Sequence, residues 1–223
     1  MTGLSPERST AAQVPLVGVG PPPGIQVLPG VQGAMTASPG DPVVIKFFTD
    51  VNANTSRQLM QVLDSCIVAG VTDLTLLIST TGGTVHDGVT LYNFIRGLEA
   101  QVTTHNFGSV DSIGVPIFAA GKTRLSVPQA RFLIHRVGTT FLAPAGQVQV
   151  SEAQLTQTLK SLLADEQNIA KIISANSHRT VSQVLATMKA QPTLFPEQMK
   201  KWGLVHSIED VSIPIGARLF TIQ

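Results

Sequence analysis

Three stretches of the chain carry residues whose types and order could do chemistry. An apolar run, Leu76-Leu77-Ile78, passes through Ser79-Thr80-Thr81 into Gly82-Gly83. A second run leads through Phe107-Gly108-Ser109-Val110-Asp111 to Ser112, Ile113 and Gly114, and a third, Arg131-Phe132-Leu133-Ile134, ends in His135. A serine hydroxyl becomes a nucleophile when a base such as histidine takes its proton, and attack on a carbonyl creates an oxyanion that backbone N–H groups can hold. Two glycines where a strand turns into a helix permit positive φ and leave such N–H groups uncovered. The parts therefore suit acyl transfer by a serine hydrolase. Each has another role when taken alone. The glycine pair makes a tight turn, Ser112 makes a helix N-cap, and His135 makes a structural strand end. Asp111 could be the cap instead, which would free the serine. The order of the three signals, at the ends of successive strands where open α/β sheets form their clefts, points to a site.

The elements that must position these residues follow from periodicity. The sequence predicts strands at 43–48, 74–78, 102–107, 123–126, 131–134 and 204–208. It predicts helices from a capping box at Thr55–Gln58 to Gly70, at 89–98, at 112–120, from a second box (Ser151, Gln154) to about Ala175, and at 182–189 and 196–201. Alternation with short turns implies βαβ units, a mostly parallel sheet and a long helix in the C-terminal half. Residues 1–42 hold eight of the 14 prolines and seven of the 19 glycines. They are expected to form a disordered tail ahead of one domain, 43–223.

Composition limits the function classes. The formal net charge is +1 and 13% of the residues are charged, which gives no reason to expect nucleic acid or an anionic membrane as a partner. The 43% apolar content is ample for a core, and the low charge suggests apolar surface buried against other subunits. No run approaches the ~20 apolar residues of a membrane span, and the start, broken by Pro15 and Pro21-Pro22-Pro23, makes no secretory signal, so a cytoplasmic protein is expected. Cys66 is the one cysteine, expected as a small buried side chain on a helix. No histidine pair has helical ligand spacing, and no metal or other cofactor is expected. His86 lies near the glycine turn, whereas His105, His178 and His206 stand in no constellation. The chain has no G-x-x-x-x-G-K-[ST] phosphate loop.

From Val43 to Ile208 the chain resembles the proteolytic subunit of the Clp protease, a serine peptidase with a crotonase-like fold. That family reads roughly I-N-S-P-G-G, G-x-A-A-S-M-G, R-x-M-I-H-Q-P and G-L-(I/V)-D. The chain reads Ile78-Ser79-Thr80-Thr81-Gly82-Gly83, Gly108-Ser109-Val110-Asp111-Ser112-Ile113-Gly114, Arg131-Phe132-Leu133-Ile134-His135-Arg136 and Gly203-Leu204-Val205-His206. The resemblance implies Ser112 as nucleophile, His135 as base, and the N–H groups of Gly83 and Ile113 as oxyanion hole. It puts the family's third triad position, an aspartate, at or near Gln191, and no acidic residue lies between Glu166 and Glu197. A glutamine can orient the histidine but adds no charge; Asp165, Glu166 or a neighbouring subunit are the other sources of a carboxylate. The resemblance further implies peptide or unfolded-protein substrates, a homo-oligomeric ring and a separate ATP-dependent unfoldase. A silent ring subunit and a crotonase-type acyl-CoA enzyme are the alternatives.

Overall fold

The apolar runs become strands of one nine-stranded sheet in the computed structural model, which describes residues 32–33, 37–141 and 149–223. In chain order the elements are β1 (Gln32–Gly33), β2 (Val43–Phe47), α1 (Ala53–Val68), β3 (Asp73–Thr80), α2 (Val85–Gly97), β4 (Gln101–Asp111) and α3 (Gly114–Ala119). Then come β5 (Thr123–Ser126), β6 (Arg131–Leu133), α4 (Glu152–Ala175), α5 (Val181–Ala190), β7 (Thr193–Leu194), α6 (Pro196–Lys201), β8 (Ser207–Ile208) and β9 (Arg218–Ile222). The main path runs β1-β9-β2-β3-β4-β5-β8 and is parallel from β9 to β8. The βαβ units and mostly parallel sheet expected from the alternation are present, as is the long helix α4.

Local chemistry sets several boundaries. α4 starts at the expected box: Ser151 Oγ accepts from the Gln154 N–H while Gln154 reaches back to the Ser151 N–H. α1 starts earlier than its expected box, because Asn52 is the cap; its Oδ1 accepts the N–H groups of Asn54 and Thr55 at 2.9 and 3.1 Å, and Thr55 answers as the third helical residue. The strand expected at 204–208 shrinks to Ser207–Ile208, since the N–H groups of Leu204 and Val205 both close on the Met199 carbonyl at the end of α6. Of the expected tail, most lies outside the described residues; Gln32 and Gly33 pair with Thr221 and Phe220, and the Pro42 carbonyl accepts from the Arg218 N–H at 2.8 Å.

The core fills both faces of the sheet. Phe118 of α3 and Phe132 of β6, both fully buried, meet edge to face at 5.2 Å. They tie the helix after Ser112 to the strand before His135, and truncating such an aromatic typically costs about 3–5 kcal/mol. Cys66 is buried on α1, as expected.

Candidate active site

β4 is the element that delivers the serine. Its first half pairs with β5 (Thr103 to Asn106), and its second half pairs with β6 (Ser109 to Asp111). The switch falls at a bulge, where the β3–β4 register slips between Ile78↔Asn106 and Thr80↔Val110. Asn106 fastens the fork: its Nδ2 donates to the Arg131 carbonyl at 2.8 Å and its Oδ1 accepts from the Gly108 N–H at 3.1 Å. Periodicity ended this strand at residue 107; the extension through Gly108 and Ser109 was hidden by small residues that carry no strand pattern.

At the end of β4, Ser112 has a φ of 58°, left-handed for a non-glycine residue. Such a backbone costs about 1–2 kcal/mol and persists only where its surroundings impose it. Here the Ser112 N–H donates to the Leu133 carbonyl at 2.8 Å, and the Ser112 carbonyl accepts from Val115 as α3 begins. The serine is thus a strained elbow between strand and helix, half-buried, and its hydroxyl is not spent on a cap. Asp111 is not a cap either: it pairs with Arg131 of β6 at 2.7 Å.

The glycine turn lies against this elbow. Gly82 has a φ of 99°, and a Cβ placed on it would stand 2.6 Å from Ser112 Cβ and 3.2 Å from Ser112 Oγ. The turn is pinned from the other side by Val51, whose N–H donates to the Gly82 carbonyl and whose carbonyl accepts from Thr84. In that parallel bridge the N–H of Gly83 faces away from Val51. Neither it nor the N–H of Ile113 meets an acceptor among the described residues. The residue after Gly82 and the residue after Ser112 thus each keep a backbone donor without an acceptor among the described residues, which is what an oxyanion site needs.

The β4–β6 ladder carried one residue past Leu133 sets Ser112 beside Ile134, with His135 next in the chain. His135 is half-buried, and among the described residues its ring makes no hydrogen bond with the Ser112 hydroxyl. Such bonds are often open in unliganded sites and tighten on substrate. β7 runs antiparallel to β6 with Leu133 opposite Thr193, so Gln191 lies two residues before the strand that pairs beside His135, and no hydrogen bond joins the two side chains. Gln191 caps α5 in the left-handed region at φ 51° and is exposed. Of the other candidate carboxylates, Glu166 is committed: both its oxygens accept from Arg136, at 2.8 and 3.1 Å, which fastens the chain after His135 to α4. This pairing holds the Arg136 guanidinium above its usual range.

Asp111 is the charged group that sequence reasoning underrated. It is 3% exposed, and its Oδ1 has no hydrogen-bond partner while Oδ2 takes Arg131. Burial pushes its pKa up, against the pull of Arg131, the Leu133 backbone and the charge of His135. The signal available was a lone aspartate in an otherwise apolar strand end, one residue before the serine. Beside the site opens a cleft of about 730 Å³, walled by the glycine turn with His86, by Val137 and Phe141 after His135, and by Gln157 and Asp165 of α4. Among the described residues no cluster of His, Cys, Asp or Glu could hold a metal ion, and no helix is long and apolar enough to cross a membrane.

The Clp protease family model matches residues 42–212. The chain belongs to the Clp protease family. It is similar to the ATP-dependent Clp protease proteolytic subunit of Carsonella ruddii (strain PV), 24% identical over 138 residues, which is 61% of this chain and 68% of that protein. Its fold is similar to that of a mutant of ClpP1 from Listeria monocytogenes, with a TM-score of 0.63 and 22% identity over 75% of this chain and 91% of the other. The chain is accordingly a serine peptidase of the Clp proteolytic-subunit type, and the fold and function class expected from its motifs stand. Against that family's G-x-A-A-S-M-G, this Clp-type chain has a charged residue, Asp111, directly before its serine.

Proposed function

We propose that Ser112 and His135 are the catalytic pair of this Clp-type peptidase and that Gly83 and Ile113 form its oxyanion hole. The observation that carries this reading is the pair of open backbone N–H groups beside a left-handed serine. His135 takes the Ser112 proton as Oγ attacks the scissile carbonyl, and the oxyanion is held by the two N–H groups. His135 then returns the proton to the leaving amine, and water hydrolyses the acyl-enzyme by the same route. Gln191 is the proposed third member: it makes no hydrogen bond with His135 in this structure, would orient the ring when substrate closes the site, and adds no negative charge.

The substrate is an extended peptide or unfolded chain laid in the cleft between the glycine turn and the segment after His135. The exposed Leu155, Leu159 and Leu163, spaced by four on α4, support burial of that helix in a homo-oligomeric ring. An ATP-dependent unfoldase supplies substrate, the working compartment is the cytoplasm, and residues 1–42 are a tail on the 43–223 domain. Ser112→Ala tests the centre: it should abolish hydrolysis of a fluorogenic peptide without moving the melting temperature. Absence of turnover in the native chain as well as in the variant would favour a silent ring subunit, the reading that an uncharged Gln191 supports.

A further inference from the structure

A second cavity, of about 710 Å³, lies away from the serine, between the end of α2, β5, the α4–α5 turn and α6. Arg96, Arg124, His178, Lys200 and His206 all line it, and none of the lining residues described is acidic. These come from five separate points of a chain whose net charge is only +1, so their convergence does not follow from general basicity. We propose that this cavity is a binding site for a diphosphate group, carried either by free pyrophosphate or by a nucleoside diphosphate. The proposal does not depend on the peptidase reading.

The floor of the cavity is a buried guanidinium without a counter-charge. Arg124 is 8% exposed, and its donors are spread over four carbonyls: Leu204 at 2.7 Å, Gly203 at 3.1 Å, and Gly121 and Asn176 both at 3.2 Å. Carbonyl dipoles satisfy its hydrogen bonds but leave its positive charge unneutralised, and buried charges are ordinarily paired. Arg96 and Lys200 stand exposed at the mouth and add two more permanent positive charges. Three such charges suit a diphosphate better than a single carboxylate.

The two histidines add directed donors. His206 Nδ1 accepts the backbone N–H of Arg124 at 3.2 Å, so the neutral ring carries its proton on Nε2. The His178 ring is seated flat on Gly203, where a Cβ would come within 2.7 Å of it. The titration directions fit a positive field that lacks an anion. Burial and then the Arg96 charge lower the Arg124 pKa, and burial and then the Arg124 charge lower that of His206. Glu209 and Asp210, the nearest acids after His206, act on His105 instead. Arg179, in the turn between α4 and α5, lies over the Trp202 ring at 4.9 Å.

Isothermal titration of the full chain in 100 mM chloride tests the proposal, with pyrophosphate, ADP, adenosine and a glutamate-rich peptide as separate probes. Pyrophosphate and ADP should bind one per chain and adenosine should not; equal affinities would assign the site to free diphosphate, and tighter ADP binding to a nucleotide. Arg96→Gln and Lys200→Gln, both exposed and remote from the serine, should each weaken binding about tenfold without shifting the unliganded melting temperature. Binding should tighten as pH falls through the histidine range. No heat with either phosphate probe, wild-type affinity in both variants, or equal binding of the acidic peptide would overturn the assignment.

Discussion

The contact between the glycine turn and the serine elbow makes Gly82→Ala the sharpest structural test of the site. The new Cβ would sit 2.6 Å from Ser112 Cβ and 3.0 Å from the Asp111 carbonyl. Ordinary carbon–carbon contact needs about 3.5–4.0 Å, so the elbow must retreat by roughly 1 Å. A displacement of ~1 Å in a catalytic group costs about 10²-fold in rate, or about 2.7 kcal/mol of barrier. The φ of 99° adds backbone strain of about 1–3 kcal/mol, a fall of roughly 2–12 °C in melting temperature for a domain of this size. The control is Gly97→Ala, where a Cβ would meet nothing within 4 Å and φ is ordinary. Peptide turnover and the rate of fluorophosphonate labelling, measured beside a thermal melt, should fall in the first variant and hold in the second. Full labelling of Gly82→Ala at the native rate would refute the argument, because the serine would then owe nothing to the glycine turn.

Three other outcomes follow from the site and its surroundings. Gln191→Glu should raise peptide turnover at least tenfold, since the amide form of a triad can lag the carboxylate by about 10⁴; an unchanged or lower rate across pH 6–9 would place the orienting group elsewhere, with Asp165 the next to neutralise. The raised pKa of Asp111 means that the folded chain binds its proton at a higher pH than the unfolded chain. Its contribution to stability therefore grows as pH falls from that raised value toward 3.8, and Asp111→Asn should remove this slope in urea titrations between pH 7 and 4. Burial lifts the Cys66 thiol to about 11, so iodoacetamide at pH 7.5 should leave it unmodified in the native protein and alkylate it in urea.

The sequence showed what was local and periodic. The apolar runs before Gly82, Ser112 and His135 each marked a strand end, and the Ser151–Gln154 box marked the start of α4, because these signals lie within a few residues. What it hid was set by partners far along the chain. β9 is a five-residue strand that follows Pro214 and Gly216, and it is a strand because β2, more than 170 residues earlier, offers it a parallel edge. β7 has only two residues, too few to show alternation, yet it pairs with the strand that ends at His135. His178 and His206 looked solitary because Arg96 and Arg124, which share their cavity, are many tens of residues away. Asp111 was visible as a residue, but its burial and its Arg131 partner depend on the fork in β4, which no periodicity announces.

The central claim is that Ser112 is an activated nucleophile. Incubating the full chain with a biotinylated fluorophosphonate and mapping the adduct by peptide mass spectrometry tests it directly. The account predicts one adduct per chain, on the Oγ of Ser112, lost in Ser112→Ala and slowed by at least 10²-fold in His135→Ala. An adduct on any other serine, or labelling of Ser112 that is indifferent to removal of His135, would contradict it.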